Sequence, residues 1–130
     1  GVGPDVDENG PPNRIRDTYR RVPDYWSDAA SRVFNLWDYI DARDVCAAVD
    51  RALTAPLTGA HACAIIADDT LMNRPTRELV AECFPPVDPS LGEYQAVVSN
   101  AYARQLLDWR PQWSWRDVPE AIAALDEVKA

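Results

Sequence analysis

The sequence predicts one α/β domain of the α+β kind, with a small sheet and about four helices. A length of 130 residues fits one domain and not two. Two short apolar runs, at residues 33–40 and 61–67, have the composition of strands. Between and after them, apolar residues recur at helical spacing. We expect residues 1–32 to form an irregular loop segment and residues 33–130 to form the folded subdomain.

The first 32 residues carry little periodicity, and four of them are prolines that discourage a long helix. We therefore predict a surface loop with one or two short turns. Its aromatic residues indicate that part of the segment packs against the rest of the chain. They are Tyr19, Tyr25 and Trp26.

The first predicted strand, VFNLWDYI, leads directly into a helix. Asp41 is a good N-cap for it, and Asp44 three residues later resembles a capping box. The apolar positions of this helix fall on one stripe, which we expect to face the core. They are Val45, Val49, Ala52 and Leu53. Pro56 and Gly59 end the helix.

The run HACAIIA at residues 61–67 is continuously apolar, which is typical of a strand covered on both faces. Three further helices are predicted after it, together with a short extended piece at residues 95–98. Pro75 begins the first of these helices, Ser99 caps the second and Ser114 caps the third. Their inward positions are expected to be Leu79, Val80, Cys83, Ala103, Leu106, Leu107, Val118, Ile122 and Leu125.

Charge and composition exclude several classes of function. The formal net charge is −8, which argues against nucleic acid or an anionic membrane surface as a partner. The single histidine, His61, excludes any site built on two histidines, and we expect it to be structural. Five glycines are too few for most glycine-rich phosphate-binding loops. The chain has 12 arginines and a single lysine, Lys129.

Three cysteines form no CxxC pair and leave an odd thiol, so we expect reduced thiols in a cytoplasmic protein. No apolar run approaches the ~20 residues that span a bilayer. We expect no signal peptide, because no basic segment followed by an apolar run opens the sequence.

No catalytic, cofactor-binding or metal-binding constellation is evident. Asp38, Asp41 and Asp44 lie three residues apart, whereas a calcium-binding EF-hand loop spaces its oxygens by two and needs a glycine at its sixth position. A strand end followed by a helix cap explains these aspartates better. The tryptophans near residue 110 are interpreted as core anchors.

Four motifs in order resemble the C-terminal part of extended short-chain dehydrogenase/reductases, the NAD-dependent epimerase/dehydratase family that acts on nucleotide sugars. Residues 37–53, WDYIDARDVCAAVDRAL, resemble the family's "DYI-V-DV" strand and the helix after it. Residues 59–67 resemble its glycine-led strand, residues 76–79 (TREL) its next helix, and residues 103–117 its closing "LGW-P" region. The segment Val2-Gly3-Pro4 is similar to the family's "V-GP" segment.

The resemblance implies the C-terminal, substrate-binding subdomain of such an enzyme, without its Rossmann half. The phosphate loop GxxGxxG and the catalytic Tyr-x-x-x-Lys pair are absent from this chain. The chain alone is therefore expected to bind no cofactor and to have no catalytic residue, while the full-length parent would use NAD. The substrate-binding residues that the resemblance implies are Val2, Gly3, Pro4, Trp37, Tyr39, Asp41 and Arg43. Residues 1–32 would then face the substrate cleft.

The family often has an arginine where this chain has Trp37, so the usual diphosphate contact is changed here and Arg43 is the candidate replacement. Two other functions stay open. One is a free-standing, non-catalytic binding or interaction module derived from the same fold, which could self-associate through the surface that faces the Rossmann half in the parent. The other is a small enzyme of another class that uses Asp38, Asp41 or His61.

Overall fold

The computed structural model describes residues 11–86 and 90–117, and from residue 16 onward it describes the side chains as well. The described part contains four α-helices: α1 (Pro11–Arg21), α2 (Ala42–Thr54), α3 (Thr76–Cys83) and α4 (Ala101–Leu107). Three 3₁₀ helices accompany them, at Val22–Tyr25, Ala29–Asn35 and Trp115–Asp117. These residues contain no strand, and a single antiparallel bridge joins Asp69 to Gln95. The fold is helical, and the prediction of an α/β domain with a small sheet was wrong.

The first predicted strand fails at a sharp local turn. Residues 33–35 belong to a 3₁₀ helix, and the next two residues, Leu36 and Trp37, have φ angles of 55° and 60°. Two consecutive left-handed residues interrupt the pleat that a strand requires. The turn directs the indole of Trp37 into the core, where its Nε1–H donates to the carbonyl of Ala29 at 2.8 Å.

The second predicted strand, residues 61–67, runs without a helix or a turn but has no ladder partner among the described residues. Single hydrogen bonds hold the neighbouring segments side by side instead. The amide of Ala67 donates to the carbonyl of Tyr39 at 2.9 Å, and that of Ala96 donates to the carbonyl of Asp68 at 2.8 Å. A ladder needs consecutive pairs of such bonds, and these segments provide only isolated ones.

Helix α1 lies inside the segment that we expected to be a loop. Its two prolines, Pro11 and Pro12, occupy the first turn, where a backbone N–H has no helical partner and a proline is tolerated. Near its end the helix buries Tyr19, and the 3₁₀ helix that follows buries Val22, each to 6% exposure. The prolines therefore start this helix and do not prevent it.

The N-cap predicted for α2 is confirmed, because Asp41 Oδ1 accepts a hydrogen bond from the amide of Arg43 at 2.8 Å. The inward stripe predicted for the same helix was wrong at three of its four positions, since only Val45 is half-buried. Val49 is 54% exposed and Leu53 is 80% exposed, and Ala52 is exposed as well.

The buried face of α2 carries Asp44 and Ala48 instead. The Asp44 carboxylate does not close a capping box. It accepts hydrogen bonds from the amides of Gln112 (2.8 Å) and Trp113 (3.1 Å) on a distant segment. The segment that carries these amides lies against this face of the helix, so the apolar stripe points away from it.

The later helices agree with the sequence more closely. The predicted inward positions of α3 and α4 are buried or half-buried, as expected: Leu79, Val80, Cys83, Ala103, Leu106 and Leu107. Ser114 starts the last 3₁₀ helix, and its Oγ accepts from the amide of Arg116 at 3.1 Å. The remaining positions of the last predicted helix, Val118, Ile122 and Leu125, lie outside the described residues.

Two apolar clusters form the core. The first lies among the 3₁₀ helices, α3 and residues 71–72, and contains Val22, Ala29, Trp37, Leu71, Met72, Leu79 and Val80. The second lies between α2 and α4, and contains Ala48, Ala103, Leu107 and Trp109. Residues 37–41 lead from the first cluster to the start of α2. The candidate site lies beside residues 39–42, next to the end of α1.

Candidate functional site

A cavity of about 240 Å³ opens between the end of α1 and the start of α2. We call it the tyrosine pocket, because three tyrosines line it. Its lining residues are Thr18, Tyr19, Val22, Tyr25, Arg32, Tyr39, Ile40, Asp41, Ala42 and Leu71. The lining is therefore mostly aromatic and apolar, with one cation and one carboxylate.

Asp41 holds one wall of the pocket in place. Its carboxylate accepts from the Tyr19 hydroxyl at 2.6 Å and from Arg43 Nη2 at 2.7 Å, while Arg43 Nε donates to the other oxygen at 3.0 Å. Burial by itself would raise the pKa of Asp41, but the hydrogen bonds from Arg43 and Tyr19 outweigh it and lower the pKa. Because both oxygens are already engaged, Asp41 positions its neighbours and has little capacity left for a ligand.

Arg32 supplies the positive charge of the pocket. Its guanidinium carbon lies 4.6 Å from the centre of the Tyr25 ring and 5.5 Å from that of Phe34, which holds the side chain by cation–π contacts. Its Nε is buried and has no hydrogen-bond partner among the described residues. A buried donor without an acceptor costs free energy, and this cost falls on a residue that lines the pocket.

Tyr19 and Tyr39 are phenols that stay protonated. Burial, together with the neighbouring carboxylate, raises the pKa of each above its usual range: Asp41 acts on Tyr19 and Asp69 acts on Tyr39. The Tyr39 hydroxyl donates to Asp69 Oδ1 at 2.6 Å. These tyrosines therefore shape the pocket and offer no base at neutral pH.

A larger cleft of about 410 Å³ lies near the start of α4, between residues 67–68 and 95–104. Its charged side chains satisfy each other, since Arg104 pairs with Asp68 and Asn100 Nδ2 donates to the same carboxylate. The tyrosine pocket, with a buried and unpaired donor on Arg32, is the better candidate for a ligand site.

The structure brings together only some of the residues that the sequence indicated. Tyr39 and Asp41 line the tyrosine pocket. Arg43 lies behind Asp41, and its guanidinium carbon is 3.7 Å from the centre of the Trp113 ring. Trp37 is fully buried in the first apolar cluster and does not line the pocket. The other three residues, Val2, Gly3 and Pro4, lie outside the described residues.

Sequence reasoning did not assign Tyr19, Tyr25 or Arg32 to the site. A signal for the first two was present, because Tyr19, Val22 and Tyr25 are spaced by three, as on one face of a tightly wound helix. The four prolines of residues 1–32 led us to predict a loop there instead of a helix. No sequence pattern pointed to Arg32, because its place in the pocket depends on the packing of two segments.

The remaining candidates have structural surroundings. His61 is exposed, and its ring nitrogens lie 2.9 Å from the Tyr102 hydroxyl and 2.9 Å from the carbonyl of Thr58. The three cysteines are free thiols. Asp38, Asp41 and Asp44 do not share a site: Asp41 binds Arg43, whereas Asp44 binds the backbone of residues 112–113.

Comparison with models of known protein families, with curated proteins and with solved structures returns no match. Within residues 11–86 and 90–117, no group of three or more His, Cys, Asp or Glu side chains could hold a metal ion. None of the helices described there is long and apolar enough to cross a membrane.

Proposed function

We propose that this chain is the substrate-binding part of a cytoplasmic, NAD-dependent nucleotide-sugar epimerase or dehydratase of the extended short-chain dehydrogenase/reductase type. The chain would not be catalytic on its own. One observation carries the proposal: the tyrosine pocket brings Tyr39, a residue expected to bind the substrate, together with the guanidinium of Arg32, beside a wall that Asp41 holds in place. Residues 76–79 and 103–117, which resemble two segments of the family, support it, whereas the two segments that resemble its strands, 37–40 and 59–67, form no strand in the structure.

The chemistry of the pocket suits one portion of such a ligand. A nucleotide sugar carries a diphosphate, and arginine is the side chain that best matches the geometry of phosphate oxygens. Arg43 is held by Asp41, so Arg32 replaces it as the proposed phosphate contact. At about 240 Å³ the pocket is smaller than the roughly 300–1,000 Å³ typical of ligand sites, so we assign it the phosphates and the adjoining sugar only.

The residues of this chain do not fit NAD, because the sequence has no glycine-rich phosphate loop and no Tyr-x-x-x-Lys pair. In the full-length parent, NAD would accept and return the hydride. The part of this chain is to bind the substrate, to exclude water from it and to orient it through Arg32 and the tyrosine rings.

Titration calorimetry with UDP-glucose, UDP and NAD tests the proposal. We expect the chain to bind UDP-glucose and UDP but not NAD. Arg32→Gln should weaken binding of both uridine ligands by about 10- to 100-fold, the effect of losing a charge-assisted hydrogen bond. The matched control is Arg77→Gln on the exposed side of α3, which should leave the affinity unchanged.

Three results would contradict the proposal. They are NAD binding at micromolar concentration, the absence of any binding of UDP-glucose, and equal losses of affinity in the Arg32 and Arg77 variants. Because Arg32 also packs on Tyr25 and Phe34, the thermal midpoint of Arg32→Gln is measured first, so that affinity is compared between folded proteins.

A second candidate function is the free-standing, non-catalytic binding module. The exposed apolar side of α2, with Leu53 at 80% exposure, favours it, because such a side is typical of an interaction surface. The gene sequence upstream of the codon for Gly1 distinguishes the two candidate functions. Upstream codons for a strand, a GxxGxxG loop and a Tyr-x-x-x-Lys pair favour the enzyme part, and an open reading frame that starts at Gly1 favours the module.

A further inference from the structure

His61, the single histidine of the chain, and Tyr102 form a hydrogen-bonded pair at the surface, which we call the His–Tyr pair. Nδ1 of the imidazole lies 2.9 Å from the phenol oxygen of Tyr102, and Nε2 lies 2.9 Å from the carbonyl oxygen of Thr58. The two ring planes are inclined at 52°, so the rings meet through this hydrogen bond and are not stacked in parallel.

The carbonyl of Thr58 determines the tautomer of the imidazole. A carbonyl oxygen only accepts hydrogen bonds, so Nε2 of the neutral His61 ring carries the hydrogen and donates to it. Nδ1 is then the bare nitrogen and accepts a hydrogen bond from the Tyr102 hydroxyl. A hydroxyl, a base that takes its proton and a third group that orients the base form the arrangement by which proteins activate a nucleophile.

The backbone around the His–Tyr pair holds its two members in place. Gly59, between Thr58 and His61, has a φ angle of 78°, a left-handed conformation that glycine adopts without steric cost. Cys63, two residues after His61, packs against the second apolar cluster, which also contains Ala103 of α4. Both members of the pair are therefore next to residues that are anchored in the same cluster.

The surroundings of Tyr102 differ from those of the tyrosines that line the tyrosine pocket. All five tyrosines of the chain lie in the described part, and Tyr102 is the exposed one, at 46%. Tyr19 and Tyr39 donate to carboxylates, and burial together with that negative charge raises the pKa of both phenols. A proton that passes from Tyr102 to an imidazole leaves a phenolate beside an imidazolium, and these opposite charges attract each other. Tyr102 thus combines access to solvent with a neutral base.

We propose that Tyr102 is a site of covalent modification, at which the phenol oxygen accepts an acyl group from an activated ester. The Tyr102 oxygen forms a bond to the carbonyl carbon of the ester, and its proton passes to Nδ1 of His61. The bond between that carbon and the leaving alcohol oxygen breaks, and the imidazolium gives its proton to the leaving oxygen. The products are one acylated tyrosine and one alcohol for each chain that reacts.

The setting of the His–Tyr pair indicates the kind of donor that it takes. Each member stands between two alanines in the chain, at residues 60 and 62 and at residues 101 and 103, and such small neighbours leave the phenol oxygen open to approach. Neither member lines the tyrosine pocket or the cleft near α4. The donor is therefore selected by its reactivity and not by its shape. This inference does not depend on the proposed function, because it concerns a different surface.

Acetylation by p-nitrophenyl acetate tests the proposal, with tandem mass spectrometry to locate each acetyl group. Locating the group by residue separates Tyr102 from the three free thiols, which react with the same ester. We expect Tyr102 to be acetylated about 100-fold faster than N-acetyltyrosinamide in the same solution, the lower end of the effect of a general base. His61→Gln removes the base but keeps a side chain that can accept a hydrogen bond, and it should abolish this advantage.

Thr58→Ala is the matched control, because it changes an exposed side chain and keeps the carbonyl that orients the imidazole. It should react like the unaltered chain. The proposal is overturned if Tyr102 reacts no faster than N-acetyltyrosinamide, if His61→Gln leaves its rate unchanged, or if Thr58→Ala slows it as much as His61→Gln does. An acetyl group found on His61 and not on Tyr102 overturns it as well. Both substitutions are at exposed positions, and circular dichroism confirms that each variant is folded.

Discussion

Asp38 is a carboxylate in an unfavourable place. It follows the two left-handed residues that bury Trp37, and its Oδ1 is buried without a hydrogen-bond partner among the described residues. Burial raises the pKa of Asp38 to about 6, from 3.8. Asp41, three residues later, is buried as well, but Arg43 and Tyr19 neutralise the cost of its burial and lower its pKa. The difference between these two residues lies in the hydrogen bonds that each receives.

We predict that Asp38→Asn stabilises the protein at neutral pH. Above about pH 6 the carboxylate is charged in the folded and the unfolded chain, and only the folded chain bears the cost of burying it. Between about pH 6 and pH 4 the folded chain takes up the proton first, so the cost disappears. The variant should therefore unfold at higher urea concentration than the unaltered chain at pH 7, and the difference should shrink towards zero near pH 4. The exposed Asp24→Asn is the control; a difference for Asp38→Asn that grows as the pH falls would contradict the explanation.

At the scale of the element, α2 shows why an apolar pattern alone misled the prediction. The periodicity of Val45, Val49 and Leu53 predicted a helix correctly, but it could not show which side of the helix meets the core. That orientation depends on Asp44, whose carboxylate holds two amides of a segment about 70 residues away. Contacts of this kind join distant parts of the chain and leave no local pattern.

We predict that Asp44→Ala destabilises the protein by about 2–4 kcal/mol, because it leaves the amides of Gln112 and Trp113 without their acceptor and removes a buried side chain. Urea denaturation followed by circular dichroism measures the change. Asp44→Asn keeps one acceptor oxygen and should lose less. The exposed Asp50→Ala on the same helix is the control, and because alanine has the higher helix propensity it should lose no stability. An equal loss in the Asp44 and Asp50 variants would contradict the role of the two amides.

The predictions that succeeded used local signals. The cap at Asp41, the inward positions of α3 and α4 and the turn at Ser114 each depend on residues within one or two turns of the chain. The predictions that failed needed long-range information. A strand exists only when another strand pairs with it, and the described residues give the segment at 61–67 no such partner. Tyr39 and Asp41 of the tyrosine pocket were predicted because they adjoin a recognisable motif. Arg32 was missed because it reaches the pocket through tertiary packing.

At the scale of the whole molecule, Arg116 connects several segments in place of a sheet. Its Nε donates to Asp69 Oδ2 at 2.9 Å, and its Nη2 donates to the carbonyl of Met72 at 2.8 Å. Its guanidinium carbon also lies 4.0 Å from the centre of the Tyr94 ring. One planar group thus holds together three stretches of chain, near residues 70, 94 and 116.

We predict that Arg116→Lys destabilises the protein by about 1–3 kcal/mol, since an ammonium group cannot donate in two fixed directions and stack on an aromatic ring at the same time. Thermal unfolding measures the loss. Arg110→Lys, at an exposed position on the same segment, should leave the midpoint unchanged. If Arg116→Lys also leaves the midpoint unchanged, the positive charge alone is sufficient and the planar geometry of the guanidinium is not required.

The indole groups have a spectroscopic consequence. Four of the five tryptophans donate their Nε1–H to a backbone carbonyl: Trp26 to Leu71, Trp37 to Ala29, Trp109 to Asp44 and Trp115 to Thr70. Trp37 and Trp109 are almost completely shielded from water, at 0% and 3% exposure. The fluorescence of Trp37 and Trp109 should therefore lie at short wavelength and resist quenching by iodide. Trp26, Trp37 and Trp115 lie in or against the first cluster, whereas Trp109 lies in the second, so the change in fluorescence on melting that Trp109→Phe removes reports on the second cluster.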